Sequence, residues 1–204
     1  MTKNSITVGL DRDGTINEDL GTYVTHPFQF KPIENSIEAV ALLRKKGYNI
    51  VVITNQAGVS KGIMTTDEVA NVHDYMLNLL GKAGCASIDG IYYSHTSQKQ
   101  DMFAKPNVGM FKKAESDLDL KFKGGFYVGD KLSDMKAAEK IGATPILVRT
   151  GYGKETEAKL KRFTYKSLKR KTMIFDNLWA FVSSLPDPEI ENPSSSTTLK
   201  ASFI

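Results

Sequence analysis

Six short apolar segments, separated by stretches with helical spacing, constrain the fold of this chain more than any other feature. The segments are SITVGL, YNIVVIT, IDGIYY, GFYVGD, TPILVR and TMIF. Most are almost continuously hydrophobic rather than alternating, which is typical of strands buried on both faces of a sheet. Strands that alternate with helices favour right-handed crossovers and a parallel sheet between two helical layers. The sequence therefore predicts an α/β domain of the Rossmann-like type.

The stretches between these segments carry helix signals of different clarity. Thr65 stands three residues before Glu68, a capping-box pattern, and apolar residues at helical spacing follow it. Further helices are predicted over 34–47, 108–118 and 133–143, the last with Ser133 as its N-cap. Little chain is left between these elements, so we expect no inserted cap domain.

The length of 204 residues and the hydrophobic content of 41% fit one globular domain, which we place at 1–185. The remainder, 186–204, is rich in Pro and Ser and is predicted to be a disordered tail. No apolar run is long enough to span a membrane, and no export signal is visible. The one cysteine, Cys85, cannot form an internal disulfide and suits a reducing compartment. We expect a cytoplasmic protein without a membrane contact, and a monomer.

Residues that can do chemistry follow four of the predicted strands. The carboxyl ends of parallel strands meet at one edge of a sheet, where ligands of such sheets bind. We therefore expect these side chains to form a single site. They are Asp11 and Asp13, then Thr54, Asn55 and Gln56, then Lys105, and finally Asp130, Lys131 and Asp134.

Asp11 and Asp13 are costly to bury one residue apart unless a cation lies among the carboxylates. Oxygen ligands without a His or Cys pattern indicate Mg²⁺, and two lysines at the same edge favour an anionic substrate, most simply a phosphate. An aspartate beside Mg²⁺ can attack phosphorus, while a second one protonates the leaving oxygen and later deprotonates water. No histidine is needed for this chemistry: His26, His73 and His95 are interpreted as ordinary residues.

Four motifs in this chain, in this order, resemble those of the haloacid dehalogenase (HAD) superfamily. They are DRDGTIN, VVITNQAGVSKG, KPNVGMF and VGDKLSDMKAAEKIGA. The resemblance runs from Ile6 to Gly153 and is to the small capless phosphatases of subfamily IIIA, which act on heptose bisphosphates and histidinol phosphate. It implies a HAD fold without a cap domain, and a Mg²⁺-dependent phosphomonoesterase that forms an aspartyl-phosphate.

The same resemblance implies a role for each residue of the expected site. Asp11 matches the nucleophile, which also binds Mg²⁺, and Asp13 matches the general acid and base, whose backbone carbonyl binds the metal. Lys105 matches the lysine that steadies the transferring phosphoryl group. The other matches are Thr54 and Asn55, with Gln56 beside them, for phosphate binding, Asp130 for the metal, Asp134 as a supporting acid, and Asp19, Tyr23 and Lys131 for the substrate pocket.

Two segments depart from the pattern of the heptose-type enzymes. Those enzymes carry a cysteine-rich zinc loop, whereas here Ser94 and His95 are followed by no cysteine. Four-coordinate zinc cannot be assembled from His95 alone, so we expect no zinc. The family's Arg-Lys-Pro reads Ala104-Lys105-Pro106, which removes a bidentate donor from the substrate mouth. The reaction therefore follows from the resemblance, while the substrate stays open.

Three functions are compatible with these observations. The first is a phosphatase for a sugar phosphate of the heptose 1,7-bisphosphate type or a similar small metabolite, with histidinol phosphate as the alternative substrate. The second is a 3′-end polynucleotide phosphatase, because 154–171 holds eight basic and two acidic residues together with Phe163 and Tyr165. The simpler interpretation of that stretch is a solvated connection before the last strand. The third, a phosphate-binding protein without turnover, has no need of Asp13 as an acid.

Overall fold

The computed structural model of the chain describes residues 6–186, so the predicted tail lies outside the described residues apart from Pro186. Within these residues six strands form one sheet, and each predicted apolar segment coincides with one of them, although β2 and β3 extend one residue further. The strands are β1 (Thr7–Leu10), β2 (Asn49–Asn55), β3 (Gly90–Ser94), β4 (Phe126–Gly129), β5 (Thr144–Val148) and β6 (Met173–Phe175). The α-helices are α1 (Ser36–Lys45), α2 (Thr66–Lys82), α3 (Gly109–Leu118), α4 (Leu132–Ile141), α5 (Gly153–Leu160), α6 (Lys166–Lys171) and α7 (Leu178–Ser184).

The strand order is β3-β2-β1-β4-β5-β6, and every neighbouring pair is parallel. Strand β1 lies between β2 and β4, and Leu10 is in register with Val52 on one side and Val128 on the other. The strand order reverses at this point, which opens a crevice beyond the carboxyl ends of the strands. The predicted Rossmann-like α/β fold is confirmed, and the crevice lies where Asp11 leaves β1.

The sheet is covered on both faces, as its nearly continuous apolar strands predict. Val8 and Leu10 of β1 belong to the core that packs against α1, α2 and α7. Tyr127 of β4 and Ile53 of β2 belong to the core that packs against α3 and α4. Packing on both faces holds the strands in place, and thereby positions the side chains that follow the strand ends.

The predicted capping signal at the start of α2 is confirmed, whereas the predicted N-cap of α4 is wrong. The Thr65 hydroxyl accepts a hydrogen bond from the Glu68 N–H at 3.2 Å, and the Glu68 carboxylate accepts from the Thr65 N–H at 2.7 Å, so the capping box is present. Ser133 is not the N-cap of α4, which begins at Leu132. The Asp134 carboxylate accepts from the Lys131 N–H at 2.9 Å and moves the start of the helix two residues earlier.

The basic stretch 154–171 is not the plain connection that the sequence favours, since it contains α5 and α6. Leu160 and Leu168 from these helices are buried and pack with Met135 and Leu147. Only Leu168 is buried in α6, so its helical pattern is hidden among basic residues. Helix α7 is likewise absent from the sequence-based prediction. No helix in the described part of the chain is long and apolar enough to cross a bilayer.

The two long connections at the carboxyl edge of the sheet, 11–35 and 95–108, contain no domain of their own. The segment from β1 to α1 contains a single turn of 3₁₀-helix, Pro27–Gln29. The segment 95–108, between β3 and α3, contains no helix or strand. Within residues 6–186 no inserted domain covers the crevice, and the expectation of a capless fold is confirmed.

Candidate active site

The turn after β1 is tied to the strand ends on its other side. The Asp11 N–H donates to the Val128 carbonyl at 2.9 Å, which carries the β1–β4 ladder one residue beyond the strand. Gly14 has φ of +84°, and a Cβ placed there would collide with the carboxylate of Asp130. The Thr150 hydroxyl donates to the Gly14 carbonyl at 2.6 Å. Glycine is therefore required at position 14 so that the turn can close over Asp130.

Three carboxylates meet at this point, those of Asp11, Asp130 and Asp134. They can each offer one oxygen so that the three atoms lie within 4.8 Å of one another, and in the described part of the chain no other group of three or more His, Cys, Asp or Glu side chains does so. All three residues are at most 4% exposed. The cluster joins the ends of β1 and β4, as the sequence predicts.

Asp130 carries the clearest sign that this cluster holds a cation. Its Oδ2 accepts from the Tyr152 N–H at 2.8 Å, but its Oδ1 is buried and has no hydrogen-bond partner. A buried carboxylate oxygen without a partner is costly. A hard divalent cation would satisfy it, and carboxylate oxygens are the ligands that Mg²⁺ prefers. The residues present therefore fit a magnesium ion.

Lys105 forms ion pairs with both Asp11 and Asp134. Its Nζ lies 2.9 Å from Asp11 Oδ1 and 2.8 Å from Asp134 Oδ1. The same ammonium donates to the Ile53 carbonyl at 3.0 Å and to the Tyr127 hydroxyl at 2.9 Å. Lys105 is 3% exposed, and these four oxygen contacts fix the orientation of its side chain.

Asn55 fixes the backbone of Lys105 from the end of β2. Its Oδ1 accepts from the Lys105 N–H at 3.0 Å, and its Nδ2 donates to the Lys105 carbonyl at 3.2 Å. Thr54 and Gln56, on either side of it, are 1% exposed, and Gln56 Nε2 donates to Thr54 Oγ1 at 3.0 Å. The side chain of Asn55 thus has a structural task, and phosphate binding by Thr54, Asn55 and Gln56 stays a prediction.

The electrostatics of the cluster leave it short of positive charge. Burial raises the pKa of Asp11, although Lys105 beside it acts in the opposite direction. Burial also raises the pKa of Asp130, to about 8. Burial alone would lower the pKa of Lys105, but Asp11 and Asp134 outweigh it and raise that pKa, so Lys105 stays protonated. Lys131 also acts to lower the pKa values of Asp11 and Asp130, but it is paired with Asp19. Two ammonium groups therefore face four carboxylates, which again favours a bound cation.

Asp13 lies in a different environment, with its carboxylate surrounded by donors. Arg12 Nη2 lies 3.0 Å from both of its oxygens, and Asn17 Nδ2 and Gln56 Nε2 each donate at 2.9 Å. Burial alone would raise the pKa of Asp13, but Arg12 and these hydrogen bonds outweigh it and lower that pKa. The side chain is 20% exposed. Asp13 is thus a carboxylate in this state and can accept a proton from a molecule in the crevice.

Arg12 and His73 complete this environment, and neither is predicted from the sequence. Arg12 is fully buried, and its Nη1 lies 3.2 Å from His73 Nε2. The signal that could have identified Arg12 is its place within DRDG: a guanidinium next to a buried strand must find several acceptors. His73 carries no such signal, because one histidine on an amphipathic helix reads as an ordinary residue.

A cavity of about 680 Å³ opens beside the carboxylates. It brings together the three residues predicted to line the substrate pocket, and Lys131 Nζ lies 2.7 Å from Asp19 Oδ2. Lys61 lies over the Tyr23 ring at 5.5 Å, and Lys131 lies over the Tyr152 ring at 5.0 Å. The sequence did not predict Lys61, Ile63 or Tyr152 here. The lining residues are Asp19, Gly21, Thr22, Tyr23, Lys61, Ile63, Lys131 and Tyr152.

The segment that departs from the heptose-type pattern leads directly into Lys105. The Ser94 hydroxyl is buried and donates to the Thr96 carbonyl at 3.0 Å, and the His95 ring packs against Tyr93. Ala104 is fully buried beside Lys105. A long charged side chain at position 104 would have no room in this arrangement.

A doubly wound parallel sheet with buried aspartates and a lysine at its switch point defines a phosphoryl-transfer hydrolase of the HAD type. A family model described as HAD-hydrolase-like matches residues 102–181. A D-glycero-D-manno-heptose-1,7-bisphosphate 7-phosphatase from Chlorobaculum tepidum is 39% identical over 160 residues, 72% of this chain and 80% of the relative. A D-glycero-beta-D-manno-heptose-1,7-bisphosphate 7-phosphatase from Photorhabdus laumondii is 40% identical over 168 residues, 78% of this chain and 88% of the relative.

Among solved structures, a D,D-heptose 1,7-bisphosphate phosphatase from B. bronchiseptica, complexed with magnesium and phosphate, is similar to this chain. The TM-score is 0.78 at 29% identity, over 87% of this chain and 97% of that protein. The chain therefore belongs to the HAD superfamily, in the family of phosphatases related to the heptose-1,7-bisphosphate 7-phosphatases. The prediction of a HAD phosphatase is confirmed, and phosphatases of this superfamily use Mg²⁺.

Proposed function

We propose that the protein is a Mg²⁺-dependent phosphomonoesterase for a phosphorylated sugar of the heptose 1,7-bisphosphate type, or a similar small metabolite. The observation that carries the proposal is the arrangement around Lys105, which holds Asp11 and Asp134 beside the unpartnered oxygen of Asp130. The heptose bisphosphate phosphatases to which the chain is similar support the substrate class.

Asp11, Asp130 and the backbone carbonyl of Asp13 would hold the magnesium ion. When bound, Mg²⁺ neutralises carboxylate charge and polarises a phosphoryl oxygen. Asp134 pairs with Lys105 through one oxygen and accepts from the Lys131 N–H with the other. It therefore orients Lys105 and is not proposed as a metal ligand. The proposal includes no zinc ion, because the donor set at the site consists of oxygens.

Asp11 is the proposed nucleophile, and Lys105 keeps its carboxylate directed into the crevice. As an oxygen of Asp11 bonds to phosphorus, the ester P–O bond breaks and Asp13 gives a proton to the leaving oxygen. Asp13 then takes a proton from the water that hydrolyses the aspartyl-phosphate, and Asp11 is regenerated. The charge of an entering phosphate favours the proton that Asp13 needs for the first step, since nearby negative charge raises a carboxyl pKa.

Substrate recognition is proposed for the cavity beside the cluster. Lys131 offers a positive charge, and Asp19 offers carboxylate oxygens that can accept hydrogen bonds from sugar hydroxyls. Tyr23 supplies a ring face. By resemblance to the family, Thr54, Asn55 and Gln56 are the proposed phosphate-binding residues. Lys61 adds a second positive charge to the cavity, which is compatible with a substrate that carries more than one phosphate.

A 3′-phosphorylated polynucleotide is a weaker candidate. Phe163 is 85% exposed among basic residues, as a nucleic-acid surface would require. However, α6 leads directly into the beginning of β6, and a parallel strand begins on the opposite side of the sheet from its carboxyl end. A chain bound at 161–171 would have to pass around the sheet to reach Asp11.

Release of inorganic phosphate from a panel of esters tests the proposal. The panel contains heptose 1,7-bisphosphate, histidinol phosphate, a 3′-phosphorylated oligonucleotide and p-nitrophenyl phosphate, each with Mg²⁺ and with chelator. We expect Mg²⁺-dependent release from the sugar and from p-nitrophenyl phosphate, and none from the variant Asp11→Asn, which keeps the shape of the side chain. Release from the oligonucleotide or from histidinol phosphate alone would overturn the substrate class, and release without metal would overturn the mechanism.

The domain extent, the compartment and the oligomeric state complete the proposal. One sheet connects β1 to β6, which supports a single domain over 1–185. Cys85 is buried and unpaired, which suits a reducing cytoplasm. We propose a cytoplasmic monomer, and light scattering of the purified protein together with cell fractionation checks both statements.

A further inference from the structure

A buried line of polar side chains runs from α2 to the proposed acid, Asp13. His73 Nε2 lies 3.2 Å from Arg12 Nη1, while Arg12 Nη2 lies 3.0 Å from both oxygens of Asp13. The same Nη2 donates to Gln56 Oε1 at 3.1 Å, and Gln56 Nε2 donates back to Asp13 at 2.9 Å. His73 is thus linked to the crevice through one side chain, although it is remote from it in sequence.

The contact with Arg12 determines which nitrogen of His73 carries the proton. A guanidinium has only donors, so the Nε2 atom that faces it must offer a lone pair. The imidazole is therefore neutral and has its proton on Nδ1. Burial, and then the charge of Arg12, lower the pKa of His73 to about 3, which agrees with a neutral ring at physiological pH.

Packing alone does not explain this arrangement. Arg12 is completely buried and His73 is 6% exposed, and polar groups at these depths stabilise a fold no better than apolar ones of similar volume. The contact between His73 and Arg12 instead fixes the orientation of the guanidinium. His73 contacts Nη1 of Arg12, Gln56 and Asp13 share Nη2, and Asp13 Oδ1 also accepts from Nε at 3.2 Å, so the guanidinium is held at all three of its nitrogens.

We propose that His73 is a positioning residue for the phosphatase reaction: by holding Arg12, it fixes the direction in which Asp13 gives its proton to the leaving oxygen. This inference rests on the proposed function. In that step the Asp11–phosphorus bond forms, the ester P–O bond breaks, and the electron pair left on the ester oxygen takes the proton of Asp13. His73 itself touches neither the carboxylate cluster nor the cavity.

The dependence of the rate on the leaving group separates this role from a purely structural one. An alkyl ester such as heptose 1,7-bisphosphate, or glycerol 2-phosphate as a generic probe, leaves as a basic alkoxide and needs the acid. The leaving group of p-nitrophenyl phosphate is a stabilised anion that needs it little. Misdirection of Asp13 therefore slows the first kind of ester much more than the second.

The experiment compares kcat/KM of the full-length protein and its variants for both kinds of ester with Mg²⁺. We expect His73→Leu to lower turnover of the alkyl ester about tenfold or more and that of p-nitrophenyl phosphate less than about threefold. His73→Gln restores most of the loss, because its amide oxygen can accept from Arg12. Met76→Leu, at another buried position of the same helix, is the matched control and changes neither rate.

Equal losses with both esters, no loss with either, or a His73→Gln variant as slow as His73→Leu would overturn the proposal. If His73→Leu does not fold, ¹⁵N NMR of the wild-type imidazole at pH 7 decides, since a proton on Nε2 contradicts the contact with Arg12. A wild-type protein that hydrolyses neither ester with Mg²⁺ would refute the proposed function instead, and the NMR result would still test the orientation of His73 separately.

Discussion

The ammonium of Lys105 lies 2.9 Å from the Oδ1 atom of Asp11, and both side chains are almost completely buried. Ion pairs at such depth are stable only when further hydrogen bonds replace the lost water. Here the Ile53 carbonyl, the Tyr127 hydroxyl and Asp134 supply them. The pair is thus built into the core of the sheet, and the proposed nucleophile is restrained before any substrate arrives.

Replacement of Lys105 by methionine should lower kcat by about a hundredfold or more, because preorganised charge at a reacting centre is worth this much. Methionine has a similar length but no charge, so Asp11 and Asp134 lose their counter-ion. Phosphate release from p-nitrophenyl phosphate measures the effect. Lys82→Met, at an exposed position on α2, is the control and should behave as the wild type. A Lys105→Met variant within about threefold of wild-type activity would contradict the assigned role.

Two substitutions of Asp134 should separate its two contacts. Asn keeps an oxygen that can accept from the Lys131 N–H, whereas Ala does not, and both remove the charge beside Lys105. We expect both variants to lose activity. Urea unfolding should show Asp134→Ala to be less stable than Asp134→Asn by about 1 kcal/mol, the usual contribution of a helix cap. Equal stabilities would show that the cap contributes nothing to α4.

Gly14→Ala should abolish activity. The strain of a positive φ alone does not explain this loss, because another glycine with the same backbone conformation should tolerate alanine. Gly14 and Gly47 have φ of +84° and +81°, but a Cβ at Gly47 meets nothing within 4 Å while one at Gly14 collides with Asp130. Gly47→Ala should therefore lose about 1 kcal/mol of stability and keep its activity. Thermal unfolding and a phosphatase assay check both variants. The idea fails if Gly14→Ala turns over substrate as Gly47→Ala does.

Magnesium should bind more tightly as the pH rises from 6 to 8. The pKa of Asp130 without metal is raised to about 8 by burial, so below that pH the ion has to displace a proton. The affinity should rise by up to about tenfold per pH unit and level off above pH 8. Calorimetric titration in two buffers of different ionisation enthalpy measures both the affinity and the released proton. An affinity independent of pH would show that Asp130 is already ionised.

His73 should make the protein less stable in mild acid. Its folded pKa of about 3 lies below the unfolded value of about 6.5, so the unfolded chain takes up the proton first. This contribution to stability is complete above pH 6.5 and is lost as the pH falls toward 3. Between pH 7 and 5 the loss should be about 2 kcal/mol in urea unfolding. The difference between wild type and His73→Gln isolates it, and parallel pH profiles would refute it.

The sequence is sufficient to predict the sheet and the content of its carboxyl edge. Strands buried on both faces have continuous apolar runs, and a parallel topology then brings Asp11 and Asp130 together at the ends of β1 and β4. Lys105 reaches them only through the irregular segment after β3 and its contacts with Asn55. Helix ends are harder to predict, as the N-cap of α4 shows, because Ser133 and Lys131 compete and the choice depends on a side chain three residues further on. Helices α5 and α6 were missed because each buries few residues among many charged ones.

Contacts between distant side chains that do not follow strand ends could not be predicted. Arg12 and His73 are 61 positions apart, and no periodicity links them. Asn55 illustrates a second difficulty, since a residue in a motif can have a structural task that its type does not reveal. In both cases the deciding information is the direction of a side chain in three dimensions, which one sequence does not contain.

The two hydrogen bonds between Asn55 and the main chain of Lys105 have an evolutionary consequence. The lysine is anchored to a strand through its main chain, so the mostly exposed residues 97–103 can change in length or composition while the ammonium stays in place. A family that needs new ester specificities can therefore vary these positions, while the fully buried residue 104 stays small.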